Sequence, residues 1–271
     1  GIETFLTNFL SMAPPPLARE SDQGKVDPTD SAFRGFVFKI QANMNPGHRD
    51  RLAFLRIVSG RFEKDMEVVN VRSQKQLRLQ QPQQFMAQEH KLVENAYAGD
   101  IIGLFDPGNF RIGDSLCIKG SEVKFADIPV FPPEHFARIA ATDSLKRKQY
   151  LKGMEQLAQE GTIQMYKQLD IGTETFIVGV VGILQFDVLE QRLLSEYNVS
   201  IRRTMLNYRH ARWVKFTPDA VQTDPTELNI TSTTLLVRDH LDEPVLLFES
   251  SWAITWALDR NRGLKLVEIN D

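Results

Sequence analysis

Residues 175–206, TFIVGVVGILQFDVLEQRLLSEYNVSIRRTML, decide how this chain folds. From Thr175 to Val181 the residues are apolar without alternation, the pattern of a strand buried on both faces and so central in its sheet. Gly182 opens a helix over 183–197, in which Phe186, Leu189, Leu193 and Tyr197 share one face. The stretch from Val199 to Leu206 reads as a further strand. Upstream lie a strand at 162–169, a helix at about 144–160 with Tyr150, Leu151, Met154, Leu157 and Ala158 as its apolar stripe, and a strand at 136–141. The order strand, helix, strand, strand, helix, strand predicts the split βαβ, ferredoxin-like arrangement, an antiparallel sheet covered on one face by two helices.

Further upstream the pattern changes. From Phe33 to Val130 short β-branched and aromatic runs alternate with turn signals: Phe36 to Ile40, Leu52 to Val58, Glu67 to Arg72, Leu77 to Leu79, Ile101 to Phe105 and Ser115 to Ile118. A closed barrel of six or seven strands is the simplest arrangement that leaves no open edge. Before it, Gly1 to Met12 reads as a short amphipathic helix, stopped by Pro14-Pro15-Pro16 and followed by a polar stretch with linker composition up to Asp30. Three parts follow: a helix and linker at 1–32, a β-barrel at 33–130, and an α+β part at 131–271. From Arg209 on, a strand at 213–216, hydrophobic runs at 235–237 and 245–248, a helix at 251–260 and a last strand at 264–269 are predicted, without a topology.

With 42% hydrophobic and 25% charged residues, 271 residues suffice for about two cores. Cys117 is the only cysteine, so no internal disulfide can form, and neither a signal peptide nor a run of about 18 apolar residues occurs. A reducing, cytoplasmic compartment and no membrane partner are expected. The net charge of −3 argues against a generic nucleic-acid binder, but charge is segregated. Residues 33–215 are net positive and residues 216–271 net negative, so an anionic partner should meet the middle of the chain.

Catalytic chemistry is poorly represented. No glycine begins the Gly-x4-Gly-Lys-Ser/Thr pattern that wraps phosphates, and Gly179-Val-Val-Gly182 lacks the lysine and the acidic residue such a site needs. His48, His90, His135, His210 and His240 are isolated from one another, so no metal set is expected. Asp100 and Asp114 each follow glycine at the entry to a strand and read as turn residues. No Gly-x-Ser-x-Gly elbow occurs. Neither catalytic, cofactor-binding nor metal residues are assigned.

Binding features remain. His48, Arg49 and Arg51 stand beside the turn Asn43-Met-Asn-Pro-Gly47, where guanidinium groups can fork onto phosphate oxygens; an exposed hairpin with solvated charges reads the same way. Lys146, Arg147 and Lys148, with Lys152, lie off the apolar stripe of their helix, as a solvated face or an RNA contact. Arg202 and Arg203, followed by Tyr208, Arg209, His210, Arg212 and Trp213, mix cations with aromatics as RNA readers do, although Trp213 reads better as core.

The barrel stretch Phe33 to Ile40, with AGDIIG at 98–103 and Ile112-Gly-Asp114, resembles the second domain of translational GTPases. FKIQANMNPGHRDRLAFLRIVSGRF (38–62), FPPEHFARI (131–139), KGMEQLAQEGTIQMY (152–166), IVGVVGILQFDVLEQRLLSEYNV (177–199) and ARWV (211–214) are similar to bacterial peptide chain release factor three, up to about Trp213. GIETFLTNFLSMAPPP matches the exit from that family's nucleotide domain, whose phosphate loop is absent here. The resemblance implies a non-catalytic docking half of a translation GTPase, not expected to hydrolyse GTP, with GTP and magnesium confined to the nucleotide domain. It implies the ribosome as partner, through small-subunit rRNA and protein. It also implies stop-codon-reading release factors as indirect partners, and the family's own GTP-binding domain as a neighbour of the apolar face of residues 1–9. The corresponding part of an elongation or ribosome-protection GTPase is the alternative.

Overall fold

A computed structural model describes residues 1–42, 51–79, 82–86, 89–126, 128, 130–168 and 175–268. The chain divides into two units, residues 1–128 and 129–271. The first begins with helix α1 (Ile2–Met12) and the strands β1 (Arg19–Ser21) and β2 (Gly24–Val26). The strands β3 (Arg34–Ala42), β4 (Arg51–Ser59), β5 (Arg61–Glu63), β6 (Glu67–Asn70) and β7 (Lys75–Arg78) follow. Then come β8 (Gln83–Met86), β9 (Glu89–Leu92), β10 (Asn95–Tyr97), β11 (Ile101–Phe105) and β12 (Ser115–Cys117).

Eight of these strands hydrogen-bond in the order β7-β6-β12-β3-β4-β11-β8-β9, and β5 pairs separately with β10. Among the described residues the ladder ends at β7 and β9, whereas a closed ring of six or seven strands was expected. Side-chain alternation, shifted once by the irregularity between Val37 and Lys39, explains why one strand serves two layers. Val37 and Ile40 enter a core with Leu55, Ile57, Phe62, Ile102, Leu104 and Leu116, while Phe36, on the other face of β3, packs with Val26, Val58, Val123 and Phe125. That outer layer also corrects the linker reading of residues 19–26. They form the β1–β2 hairpin, anchored by buried Val26 and by the Asp22 amide donating to Lys124 O at 2.9 Å. Gly60, at φ +70, permits the turn from β4 to β5, because a Cβ there would lie 2.6 Å from the backbone of Ala32 and Phe33. The side chains of α1 are all exposed, with the rings of Phe5 and Phe9 stacked at 6.4 Å.

In the second unit β13 (His135–Ala141) leads through a 3-10 turn (Ser144–Lys146) into α2 (Arg147–Gln159), β14 (Gln164–Gln168) and β15 (Thr175–Val180). Next come α3 (Gln185–Tyr197), β16 (Ile201–Leu206) and β17 (His210–Phe216). The unit ends with β18 (Leu235–Arg238), β19 (Pro244–Phe248), α4 (Ser251–Arg260) and β20 (Leu264–Val267). The sheet runs β16-β13-β15-β14-β18-β19-β17-β20. β15 lies inside it, as its unbroken apolar pattern requires, with β13 and β14 antiparallel on either side.

One face of β13–β15 packs under α2 and α3, where Ile139, Tyr150, Met154, Leu157, Val178, Phe186, Leu189 and Leu193 are buried. Burial of each such large side chain contributes on the order of 1.5–3 kcal/mol. Phe136, Tyr166 and Ile177 face the other way and meet Trp213, Val237, Val245 and Leu247 from the later strands, so the sheet bends over a shared core. α4 covers the remaining face through Ala253 and Ala257 against Val214, Leu246 and Phe248. The segment after Phe216, which had no predicted topology, thus extends the sheet: Lys167 and Gln168 of β14 pair with Arg238 and Val237. No helix among the described residues is long and apolar enough to cross a membrane.

Candidate nucleic-acid interface

β13 ends at Ala141, which pairs with Ile201 at the start of β16. The Thr142 amide and hydroxyl continue that contact by donating to Ser200 O at 3.0 and 3.1 Å. Asp143 then accepts from the Leu145 amide at 2.9 Å and starts the turn that feeds α2. Within this corner Lys146 Nζ donates to Asn198 O at 2.7 Å. Asn198, at φ 55, is the left-handed cap of α3, so the ammonium lies against the negative end of that helix. The fold therefore gathers Lys146, Arg147 and Lys148 where the turn into α2 meets the end of α3.

The predicted cations of this unit differ in what they touch. Arg203 Nη1 donates to Asp187 Oδ1 at 2.8 Å, and its guanidinium carbon lies 5.7 Å from the Phe186 ring centroid, so its charge is largely matched from within. Arg202, one residue earlier, points to the opposite face of β16 and is exposed, with no ion-pair partner among the described residues. Arg147 and Lys148 are exposed in the first turn of α2, which holds no acidic residue. A cation there opposes the helix dipole, and Lys148 and Lys152 form a like-charged pair four residues apart. Both arrangements cost stability, and an approaching anion relieves them.

Elsewhere the predicted residues fare differently. His48 and Arg49 lie outside the described residues. Arg51 does not stand free at a loop tip: it begins β4, its Nε lies 2.8 Å from Asp106 Oδ2, and its Nη2 donates to Phe110 O at 2.9 Å. Asp106 is buried, and its Oδ1 accepts from the amides of Gly108, Asn109 and Phe110, so Arg51 braces that turn. Asp100 and Asp114 are the turn residues their sequence context indicates, accepting from the amides of Tyr97 and Arg111. Trp213 is buried, with Nε1 donating to Asp239 Oδ2 at 2.8 Å. Beside it, Arg209, His210 and Arg212 line a cavity of about 360 Å³ with Glu134 and Glu268, and Arg212 Nη2 donates to Glu268 at 2.6 Å. Burial, and then the Arg212 charge, hold the His210 imidazole below its ordinary value.

Sequence reasoning passed over Arg19 and Arg56, which line one cavity of the first unit. No linear spacing pairs them; only the strand register and the course of residues 14–19 do.

Residues 125–258 match the family described as class II release factor RF3, C-terminal domain, and residues 32–119 match elongation factor G domain 2. The chain is 45% identical over 269 residues, 99% of its length, to peptide chain release factor 3 of Listeria monocytogenes, covering 50% of that protein. To peptide chain release factor 3 of Symbiobacterium thermophilum it is 48% identical over 264 residues, 97% of this chain and 49% of that one. The chain thus spans about half the length of the curated relatives it matches. A solved structure from Thermus thermophilus, described as ttk003000868, superposes with a TM-score of 0.61 at 19% identity, covering 83% of this chain and 33% of that one.

Proposed function

The chain belongs to the peptide chain release factor 3 family, and from that premise we propose that it forms the ribosome-docking part of a translation-termination factor. The observation that carries this reading is the match of residues 125–258 to the family's C-terminal domain, since residues 32–119 match a domain described for elongation factor G as well. The elongation or ribosome-protection reading is disfavoured by the same match. In this reading the first unit is a translation-factor barrel, and 135–206 form a ferredoxin-like, split βαβ half of the second. The sheet order β16-β13-β15-β14 with α2 and α3 on one face supports the latter.

The partner is the ribosome in the cytoplasm, met through rRNA and small-subunit protein. Exposure on the first turn of α2 supports Arg147 and Lys148 as phosphate contacts, and Arg202, exposed on the opposite face of the sheet, is a separate candidate. Lys146 is held against Asn198 at the C-terminal end of α3, and Arg203 against Asp187 in its first turn. The exposed apolar face of α1, with Ile2, Phe5, Leu6 and Phe9, is the surface for the GTP-binding domain of this family. Coupled to such a domain, the chain shifts the ribosome toward a state that releases the stop-codon-reading factor.

The test is a chimera that joins this chain to the GTP-binding half of the Listeria monocytogenes relative. It should displace a stop-codon-reading release factor from terminated ribosomes when GTP is present. A chimera that binds those ribosomes and GTP yet leaves the release factor in place would overturn the proposal.

A further inference from the structure

The half-open cavity lined by Arg19 and Arg56 has a volume of about 460 Å³, within the range of small-molecule sites. Its roof is the segment from Pro14 to Ala18, whose course is set by Pro16: a Cβ on Gly99 would lie 2.6 Å from Pro16 Cγ, and Gly99 itself sits at φ +98. Arg19 is pre-oriented. Its Nη2 donates to Ala126 O at 3.1 Å, and its guanidinium carbon stands 3.9 Å above the Phe36 ring centroid. Arg56 pairs with Phe36 across β3 and β4, so it rises on the same outer face of the sheet.

Two guanidinium groups therefore line one half-open cavity, and among the described residues no carboxylate lines it. Among the described residues neither has an ion-pair partner, and buried Arg19 Nε finds no hydrogen-bond acceptor. Burial, and then repulsion from Arg56, press the Arg19 guanidinium below its ordinary value. Such a pair is relieved by an oxyanion that accepts from both forks. The remaining wall is apolar, made by Pro16, exposed Leu17 and Val58.

We propose that this cavity binds a small organic phosphate, its oxyanion held between Arg19 and Arg56 and its apolar body lying against Pro16, Leu17 and Val58. The volume and the apolar wall favour such a ligand over a bare anion, and the roof over 14–18 favours it over a continuous RNA strand.

Phenyl phosphate titrated into the full chain, followed by calorimetry, provides the test. It should bind saturably and at least tenfold tighter than inorganic phosphate. Arg56→Gln, at an exposed position, should keep the thermal melt and weaken binding tenfold or more; Arg56→Lys should recover part of the loss. Absence of saturable binding, equal affinity for inorganic phosphate, or undiminished binding by the Arg56→Gln protein would each overturn the proposal. Arg56-dependent binding of a single-stranded RNA octamer without binding of phenyl phosphate would also overturn it, and would assign the cavity to an RNA backbone.

Discussion

Arg72 forks onto Asp114, with Nε donating to Oδ1 at 2.5 Å and Nη2 to Oδ2 at 2.9 Å. Asp114 is buried and also accepts from Asn70 Nδ2 at 2.7 Å and from the Arg111 amide at 2.9 Å. One carboxylate thereby joins the end of β6 to the turn that enters β12, which explains why that turn carries Ile-Gly-Asp. Asp114→Asn keeps the shape but removes the charge and turns one acceptor oxygen into a donor facing donors. It should destabilise the first unit by about 2–3 kcal/mol, read from urea unfolding. Arg72→Lys, which keeps the charge without the fork, should have the smaller effect.

Gly153 lets α2 approach α3, because a Cβ there would lie 2.7 Å from Leu193 Cδ2 and 3.0 Å from Tyr197 Cγ. Gly153→Val should destabilise the second unit by about 1–3 kcal/mol through overpacking. Adding Leu193→Ala should give less than the sum of the two single effects, since the same contact is relieved. Strict additivity in thermal melts would show that the helices do not meet at this point.

How far the sequence reveals this architecture depends on the range of the contact concerned. The central place of β15 is legible because burial on both faces removes alternation, a property of the strand alone. The order strand, helix, strand, strand, helix, strand over 135–206 follows from local periods in the same way. The later strands are not legible, since β18 joins the sheet only by pairing Val237 and Arg238 with Gln168 and Lys167 of β14. Arg51 reads as a loop cation because its partner, Asp106, comes from a distant turn. The residues after Ala18 read as linker because a single buried side chain, Val26, holds their hairpin in place. For the candidate interface, spacing identified the basic groups at 146–148 and 202–203. Only the register of β13 with β16 divides Arg203, matched on the helix-covered face, from Arg202, exposed on the other.

Lys148 opposes the dipole of α2 and stands one turn from Lys152. Lys148→Glu should therefore stabilise the isolated chain, by about 0.3–1 kcal/mol. The same substitution should weaken ribosome binding. Paired melts and binding assays check this opposition of sign, and loss of both properties would mean that Lys148 has a structural role instead.

The depressed His210 value gives a pH dependence of defined sign. In the unfolded chain the imidazole takes up its proton near the ordinary value of about 6.5, whereas in the fold it does so at lower pH. Stability should fall as pH drops through that window and level off once both states are protonated. His210 is partly exposed, so solvent moderates the effect. Imidazole proton resonances should place its midpoint below the ordinary value, and urea unfolding of His210→Gln should vary less with pH between about 5 and 8 than that of the parent chain.

The corner that carries Arg147 and Lys148 is most directly tested by the salt dependence of ribosome binding, measured for the chain and for its Arg147→Ala/Lys148→Ala variant. If these side chains meet rRNA phosphates, the logarithmic salt slope should become shallower by about one for each phosphate-bound cation removed, with the melting temperature preserved. A folded variant with the slope of the parent chain would contradict the placement of the RNA interface at this corner.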